Sequence, residues 1–495
     1  MKLPKEALHQ QSLLNTRRVF LKQFSMGLAG MAFGSTLASC GGKGDAVIAN
    51  SAINKATNVA NKLAHFAPKA KSVIFIHMAG APSQLELFDY KPELAKLHDQ
   101  ACPPSLLEGK KFAFIRGVPK MLGPQAQFAQ RGQSGAWVSN YLPHLAEVAD
   151  DLTFLKAVHT DNFNHAPAQL LMHTGGDRVG RPSMGSWVTY GLGSVNENLP
   201  GFMVLTSGGF NPDAGKQVWG SGFLPSVYQG VHCRAKGDPV LYLGNPKGMH
   251  RDVRKASIDA INKVNQLTHQ EFQDPETLAR IAQYEMAFKM QVAVPEVMNI
   301  QDEPEYIHQM YGTQVGKAAF ANNVLLARKL VEKGVRFVQL FDWGWDTHGN
   351  VKSGSVDFGL MAKCQETDKP VAALIRDLKQ RGLLEETLVV WAGEFGRTPM
   401  QENRNGVGLA YKGRDHHTDA FTIWMAGGGL KPGITHGATD EIGYSGISGQ
   451  ASIFDVQATI LHQLGFDHER FTYQFQGRPF RLTDVEGHVI KDILA

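Results

Sequence analysis

The chain has 495 residues, 43% of them apolar and 19% charged, so a large core can form and wholesale disorder is excluded. The formal charge is +4, but five of the 50 basic residues and one of the 46 acidic residues lie in residues 1–39, leaving 45 of each in the remainder. A body of zero net charge is a poor nucleic-acid binder, because such affinity comes largely from neutralising phosphates; nucleic acid is excluded as a partner.

In chain order, Thr16-Arg17-Arg18-Val19-Phe20-Leu21-Lys22 has the form of a twin-arginine export signal, followed by an apolar, glycine-rich stretch from Phe24 to Ala38. That stretch is shorter than the roughly 20 residues that span a bilayer. Leu37-Ala38-Ser39-Cys40 has the form of a bacterial lipobox, which makes Cys40 a lipidation site. Residues 1–39 are expected to be a signal peptide, residues 40–70 a flexible tether, and residues 71–495 the folded body. The predicted location is the cell envelope or periplasm, with membrane contact only through a lipid anchor. The twin-arginine route carries folded proteins, which suits a metal loaded before export. Cys102, Cys233 and Cys364 form no close pair, hence no evident disulfide framework or zinc ribbon.

Short, apolar, β-branched runs predict buried strands at Ser72–His77, Leu152–Val158, Val335–Phe341, Thr387–Ala392 and Phe421–Ala426. Between them, Val371, Leu374, Ile375 and Leu378 share one face of a helix ending near Gly382. Phe454, Val456, Ile460, Leu461 and Leu464 form another, closed by Gly465. The stretch from about Asn211 to Tyr311 differs: a Gly/Pro-rich loop region leads into a polar helical part at Ala256–Met290, and it reads as an insertion or cap. Strands alternating with helices predict an α/β fold with a largely parallel sheet covered on both faces.

Active sites of such sheets lie beyond the carboxyl ends of the strands. The polar residues there are His159, Asp161, Asn162, Asn164 and His165; Asp342, Asp346 and His348; Glu394 and Arg397; and Arg414, Asp415, His416, His417 and Asp419 ahead of the Phe421 strand. Carboxylates, histidines and arginines at one sheet edge suggest a site for a metal and an anion.

These segments, in this order, resemble the alkaline phosphatase and sulfatase superfamily. Asp368–Glu394 resembles its helix, Gly-Leu turn and strand ending in an acidic metal ligand, and the resemblance puts Glu394 at that ligand position. His417-Thr418 resembles the late metal-binding histidine, FDWGWDTH (Phe341–His348) the strand ending in an Asp with a nearby His, and Phe454–Phe480 the terminal helix and tail. More narrowly, MAGAPSQLELFD, NHAPAQLLMHTGG, WDTHGN, GEFGRTP and GRDHH resemble a sulfatase-like subfamily of twin-arginine-exported bacterial proteins, a domain of unknown function. The chain also departs from the superfamily. No Asp follows the first strand, which runs into Met78-Ala79-Gly80, and His165 stands where the nucleophilic Ser, Thr or modified Cys would open a helix.

The resemblance implies a divalent metal (Zn, Mn or Fe) held by Asp346, His348, Glu394, His416 and His417, whose oxygen and nitrogen donors suit such ions. His165 would be a further ligand or a general base, Arg397 and Arg414 would grip a phosphate or sulfate, and Asn164 would donate to the same group. His159, His173 and His436 read as structural, and Ser83 as a turn residue. Two functions follow. The first is an envelope metal-dependent hydrolase of phosphate or sulfate esters, including sulfated glycans, that uses a metal-activated water. The second is a non-catalytic envelope protein that keeps the fold and binds a partner through the insertion.

Overall fold

A computed structural model describes residues 64–495 apart from 235–239, 241, 242 and 405. The expected signal peptide and Cys40, with most of the expected tether, lie outside the described residues.

The sequence SVIFIHMA forms strand β1 (Ser72–Ala79), with every residue buried. Its alternating side chains feed two layers: Ile74, Ile76 and Met78 join one apolar core, Val73 and Phe75 the other. A strand buried on both faces needs a continuous apolar run, which is why this segment was legible. The other strands of the central sheet are β2 (Thr153–His159), β3 (Phe202–Ser207), β4 (Val231–Cys233), β5 (Phe337–Trp343) and β6 (Thr387–Ala392). A two-stranded ribbon follows, β7 (Gly396–Gln401) with β8 (Arg414–His417), and then β9 (Phe421–Ala426), β10 (Ile434–His436) and β11 (Ala451–Ser452). The order across the sheet is β10-β2-β9-β6-β1-β5-β3-β4, with β11 also on β2. All these pairings are parallel except those of β9, which runs antiparallel to β2 and β6.

The reversal of β9 positions the site. Because β9 runs against its neighbours, its first residue lies at their carboxyl edge, and the β8 segment just before it is delivered there too. Helices α1 (His165–Thr174), α2 (Met184–Leu192) and α7 (Ile453–Gln463) border the core that holds Phe75. Helices α5 (Phe320–Glu332) and α6 (Gly359–Gln380) pack in the other core, against Ile76 and Val338. Helix α7 starts with a capping box: the Ser452 hydroxyl accepts from Asp455 N at 3.1 Å, while the Asp455 carboxylate accepts from Ser452 N at 2.7 Å.

Within residues 211–311, α3 (Arg251–Phe272) and α4 (Pro275–Met298) form a long helical pair, with Asp274 capping the second. Met290, Val294 and Val297 of α4 pack into the main core, and the same stretch supplies the edge strand β4. Strands β6 and β9 have the boundaries expected from sequence; β1, β2 and β5 extend one or two residues further at their carboxyl ends. Strand β3 was not foreseen, since its run FMVLTS is short and follows Leu-Pro-Gly.

A histidine and carboxylate centre at the carboxyl edge

Four segments meet beyond the carboxyl ends of β2, β5 and β6 and the start of β9. From β5, the chain passes Gly344 and the buried Trp345, whose indole N–H donates to Asp342 Oδ2 at 2.9 Å and pins the loop that carries Asp346 and His348. From β2 it reaches His165, the first residue of α1. Strand β8 contributes His416.

Asp346 Oδ1 is the hub. It lies 2.8 Å from His348 Nε2 and 3.4 Å from both His165 Nε2 and His416 Nε2. The His416 and His348 Nε2 atoms are 3.1 Å apart, and one donor atom from each of the four residues lies within 4.8 Å of the others. His165 Nε2 is buried without a hydrogen-bond partner. The far nitrogen of each ring is tied down. His165 Nδ1 is 2.7 Å from Glu394 Oε1, His416 Nδ1 is 2.6 Å from the Phe163 carbonyl, and His348 Nδ1 bonds the Glu402 carboxylate. A carbonyl or an ionised carboxylate only accepts, so each Nδ1 carries a proton, and each Nε2 faces Asp346 and the other rings, offering a lone pair there whenever its imidazole is neutral.

Aromatic rings fix the imidazoles further. Phe395 packs on His165 and His416, with centroids 4.9 and 4.5 Å apart, and Phe114 stands edge-on to His348 at 5.0 Å. The Asp346 side chain keeps 32% of its surface, which leaves the centre one open face.

The electrostatics follow from burial and pairing. Burial alone would strip a proton from His165, but the carboxylates of Asp346 and Glu394 hold it and push its pKa up to about 9 when no metal is bound. His416 is driven the other way, to about 4, chiefly by burial. Burial opposes the charge of Asp346, yet Arg397 and the three imidazoles hold it far below the usual carboxylate range. Glu394, wholly buried, is likewise held well below it by His165 and His77.

Several expected roles change. Glu394 stands behind the centre: besides His165 it accepts from Gly80 N at 3.0 Å and from Gln169 Nε2 at 3.1 Å, and His77 Nε2 lies 3.3 Å from it. His417 points away, with its Nε2 on the Tyr444 carbonyl and its ring against Tyr444. Neighbours on a strand face opposite sides, so only one of His416 and His417 can reach the centre. Neither arginine is free to grip an anion. Arg397 donates to the carbonyls of Gly80, Ala81 and Arg414 and to Asp346. Arg414 forks onto Glu86, with contacts of 2.6 and 3.0 Å, and also reaches the Thr398 and Gly123 carbonyls. Asn164 is exposed as the N-cap of α1, and its side chain makes no capping bond. Glu402 was not foreseen; it follows the β7 ribbon, and only pairing with a loop 54 residues away reveals its role. The Phe163 contact uses main chain and has no side-chain signal.

The family model for proteins of unknown function DUF1501 matches residues 70–494, and the chain belongs to that family. No curated protein matches it. Among solved structures it is similar to a sulfatase from Pseudoalteromonas sp. (12% identity, TM-score 0.38, covering 90% of this chain and 75% of that one). It is also similar to the alkaline phosphatase of the Antarctic bacterium TAB5 (10% identity, TM-score 0.34, covering 81% of this chain and 99% of that one). A third similarity is to a phosphonate monoester hydrolase from Silicibacter pomeroyi (12% identity, TM-score 0.30, covering 80% and 73%). The fold itself is α/β, with a largely parallel sheet covered by helices on both faces.

Proposed function

We propose that this member of the DUF1501 family is a metal-dependent hydrolase of phosphate or sulfate esters. One observation carries the metal: three imidazoles, each donating its Nδ1 proton to an acceptor-only partner, turn their Nε2 atoms toward one another around a carboxylate. Lone pairs 3.1 Å apart repel unless a proton or a cation lies between them. His165, His348, His416 and Asp346 form a His₃-carboxylate donor set suited to Zn, Mn or Fe. Such an ion acts as a Lewis acid and brings the pKa of water down to about 7.

The chain's own groups support ester hydrolysis without a covalent intermediate. His165 occupies the first turn of α1, where a nucleophilic hydroxyl or thiol would otherwise stand. The orphan amides and positive end of that ten-residue helix favour an anionic group, and Asn164 adds an exposed donor beside it. Glu394 and Glu402 hold His165 and His348 in the binding tautomer, while Arg397 holds Asp346. Export by the twin-arginine route and anchoring at Cys40 complete the reading, placing the enzyme in the cell envelope. Among the described residues no helix is long and apolar enough to cross a membrane.

A second reading, a non-catalytic envelope binding protein that keeps the fold, is favoured by Arg397 and Arg414, whose donors are all directed inward. Metal analysis of natively exported protein, followed by assays on 4-nitrophenyl phosphate, bis(4-nitrophenyl) phosphate and 4-nitrophenyl sulfate, separates the two. Stoichiometric metal with turnover that disappears in Asp346→Ala supports the hydrolase. Metal without turnover, or no metal in folded protein, supports the binding protein and sinks the hydrolase.

A further inference from the structure

Behind Glu394 a line of polar side chains runs into the core. Gln339 Nε2 lies 3.2 Å from the Val218 carbonyl and 3.0 Å from His173 Nδ1; His173 Nε2 lies 3.2 Å from His77 Nδ1; His77 Nε2 lies 3.3 Å from Glu394 Oε2. His77, His173 and Gln339 are all at most 1% exposed. The rings are clamped: Phe341 packs on His77 at 5.3 Å and on His173 at 5.2 Å, and Phe75 on His173 at 5.0 Å.

The direction of this chain is determined by its ends. The Val218 carbonyl only accepts, so the Gln339 atom facing it is the amide nitrogen, whose second hydrogen goes to His173 Nδ1. The His173 proton is therefore on Nε2 and is donated to His77 Nδ1. That places the His77 proton on Nε2, facing a carboxylate. A flipped Gln339 would set two oxygens against each other at 3.2 Å, and a doubly protonated His77 would set two N–H groups against each other. Both imidazoles are neutral, and every proton points toward Glu394.

We propose that this buried chain makes Gln339, His173 and His77 positioning residues for the ion-binding centre. His77 Nε2 makes no aligned hydrogen bond, but its N–H sets the positive end of the ring dipole 3.3 Å from Oε2; with the Gly80 and Gln169 donors this keeps Glu394 ionised and an acceptor for the N–H of His165, whose Nε2 then faces the ion. Reversing the chain would turn the His77 lone pair onto the carboxylate and undo that choice. The proposal rests on the reading of the centre given above.

Long-range ¹H–¹⁵N spectra of metal-free protein labelled with ¹⁵N-histidine test the chain directly, with the two rings assigned from His173→Gln and His77→Asn samples. His77 and His173 are expected as neutral Nε2–H tautomers; an Nδ1–H or doubly protonated ring at either position overturns the proposal. The second arm is Gln339→Glu, which keeps the shape but forces an acceptor onto His173. Zn(II) affinity by chelator competition is expected to fall about tenfold, as losses behind metal ligands do, with near-UV circular dichroism unchanged; unaltered affinity in a folded variant overturns the proposal. Wild-type protein that takes up no zinc overturns the reading of the centre and the chain's bearing on it, while the tautomers still decide the chain itself.

Discussion

His165 and Glu394 are 229 residues apart in sequence, yet the His165 Nδ1 atom lies 2.7 Å from Glu394 Oε1, and this contact decides that the other ring nitrogen faces Asp346. A carboxylate behind a ligating imidazole sets the tautomer and raises the basicity of the ring. Glu394→Gln is therefore expected to weaken Zn(II) binding by about 10–100-fold while the protein stays folded, since Gln can still accept one N–H. Competition with a chromophoric chelator measures it, and an affinity within a factor of about two of wild type would contradict the assignment.

The two adjacent histidines of β8 should part company. His416→Ala is expected to abolish stoichiometric metal with a modest effect on the fold. His417→Ala should keep the metal but lower stability by about 1–3 kcal/mol, because the buried Tyr444 carbonyl loses its donor. Metal analysis and urea unfolding on the same two samples give the comparison; metal lost only from the His417 variant would reverse the picture.

Gly80 has φ +110°, and a Cβ there would come within 2.5 Å of the Asp346 backbone nitrogen. Gly80→Ala is expected to cost about 1–3 kcal/mol in backbone strain and to displace Asp346, lowering metal content as well. Wild-type urea midpoint and metal content in that variant would contradict the tight fit.

Arg414 and Glu86 are both fully buried and paired. Arg414→Met leaves a buried carboxylate unpaired and is expected to destabilise by about 3–5 kcal/mol, whereas Arg414→Met with Glu86→Leu recovers much of that loss. A double-mutant cycle in urea tests the coupling. An arginine that serves only to bind an anion would show no such recovery.

Metal-free protein should be most stable near pH 6.5. Burial depresses the pKa of His173 and His417 below the ordinary histidine value, so the unfolded chain binds more protons than the folded one below about pH 6.5. Stability from these groups is full above that pH and falls as the solution is acidified toward their folded-state values. His165 has the opposite sign: its raised value means stability that is full below about pH 6.5 and lost as pH rises toward about 9. Urea midpoints at pH 5.5, 6.5, 7.5 and 8.5 measure both limbs, and a profile rising steadily from 5.5 to 8.5 would contradict the second.

Apolar patterning alone marks the sheet's central strands and the polar residues of its carboxyl edge. A strand buried on both faces must be a continuous apolar run, and β1, β6 and β9 are such runs, so the polar residues just past them were legible as a group. Which members of the group meet depends on packing across the fold. Choosing His416 over His417 depends on how β8 is twisted against β7, because strand alternation offers either residue equally. The arginines turn inward for a related reason. Their partners are main-chain carbonyls of the turn after β1 and a carboxylate hundreds of residues away, and neither leaves a mark in local spacing. Glu402 and Gln339 became visible for the same cause: the protonation of one nitrogen on His165 or His348 is set by hydrogen bonds across the fold, and those exist only once the strands are side by side.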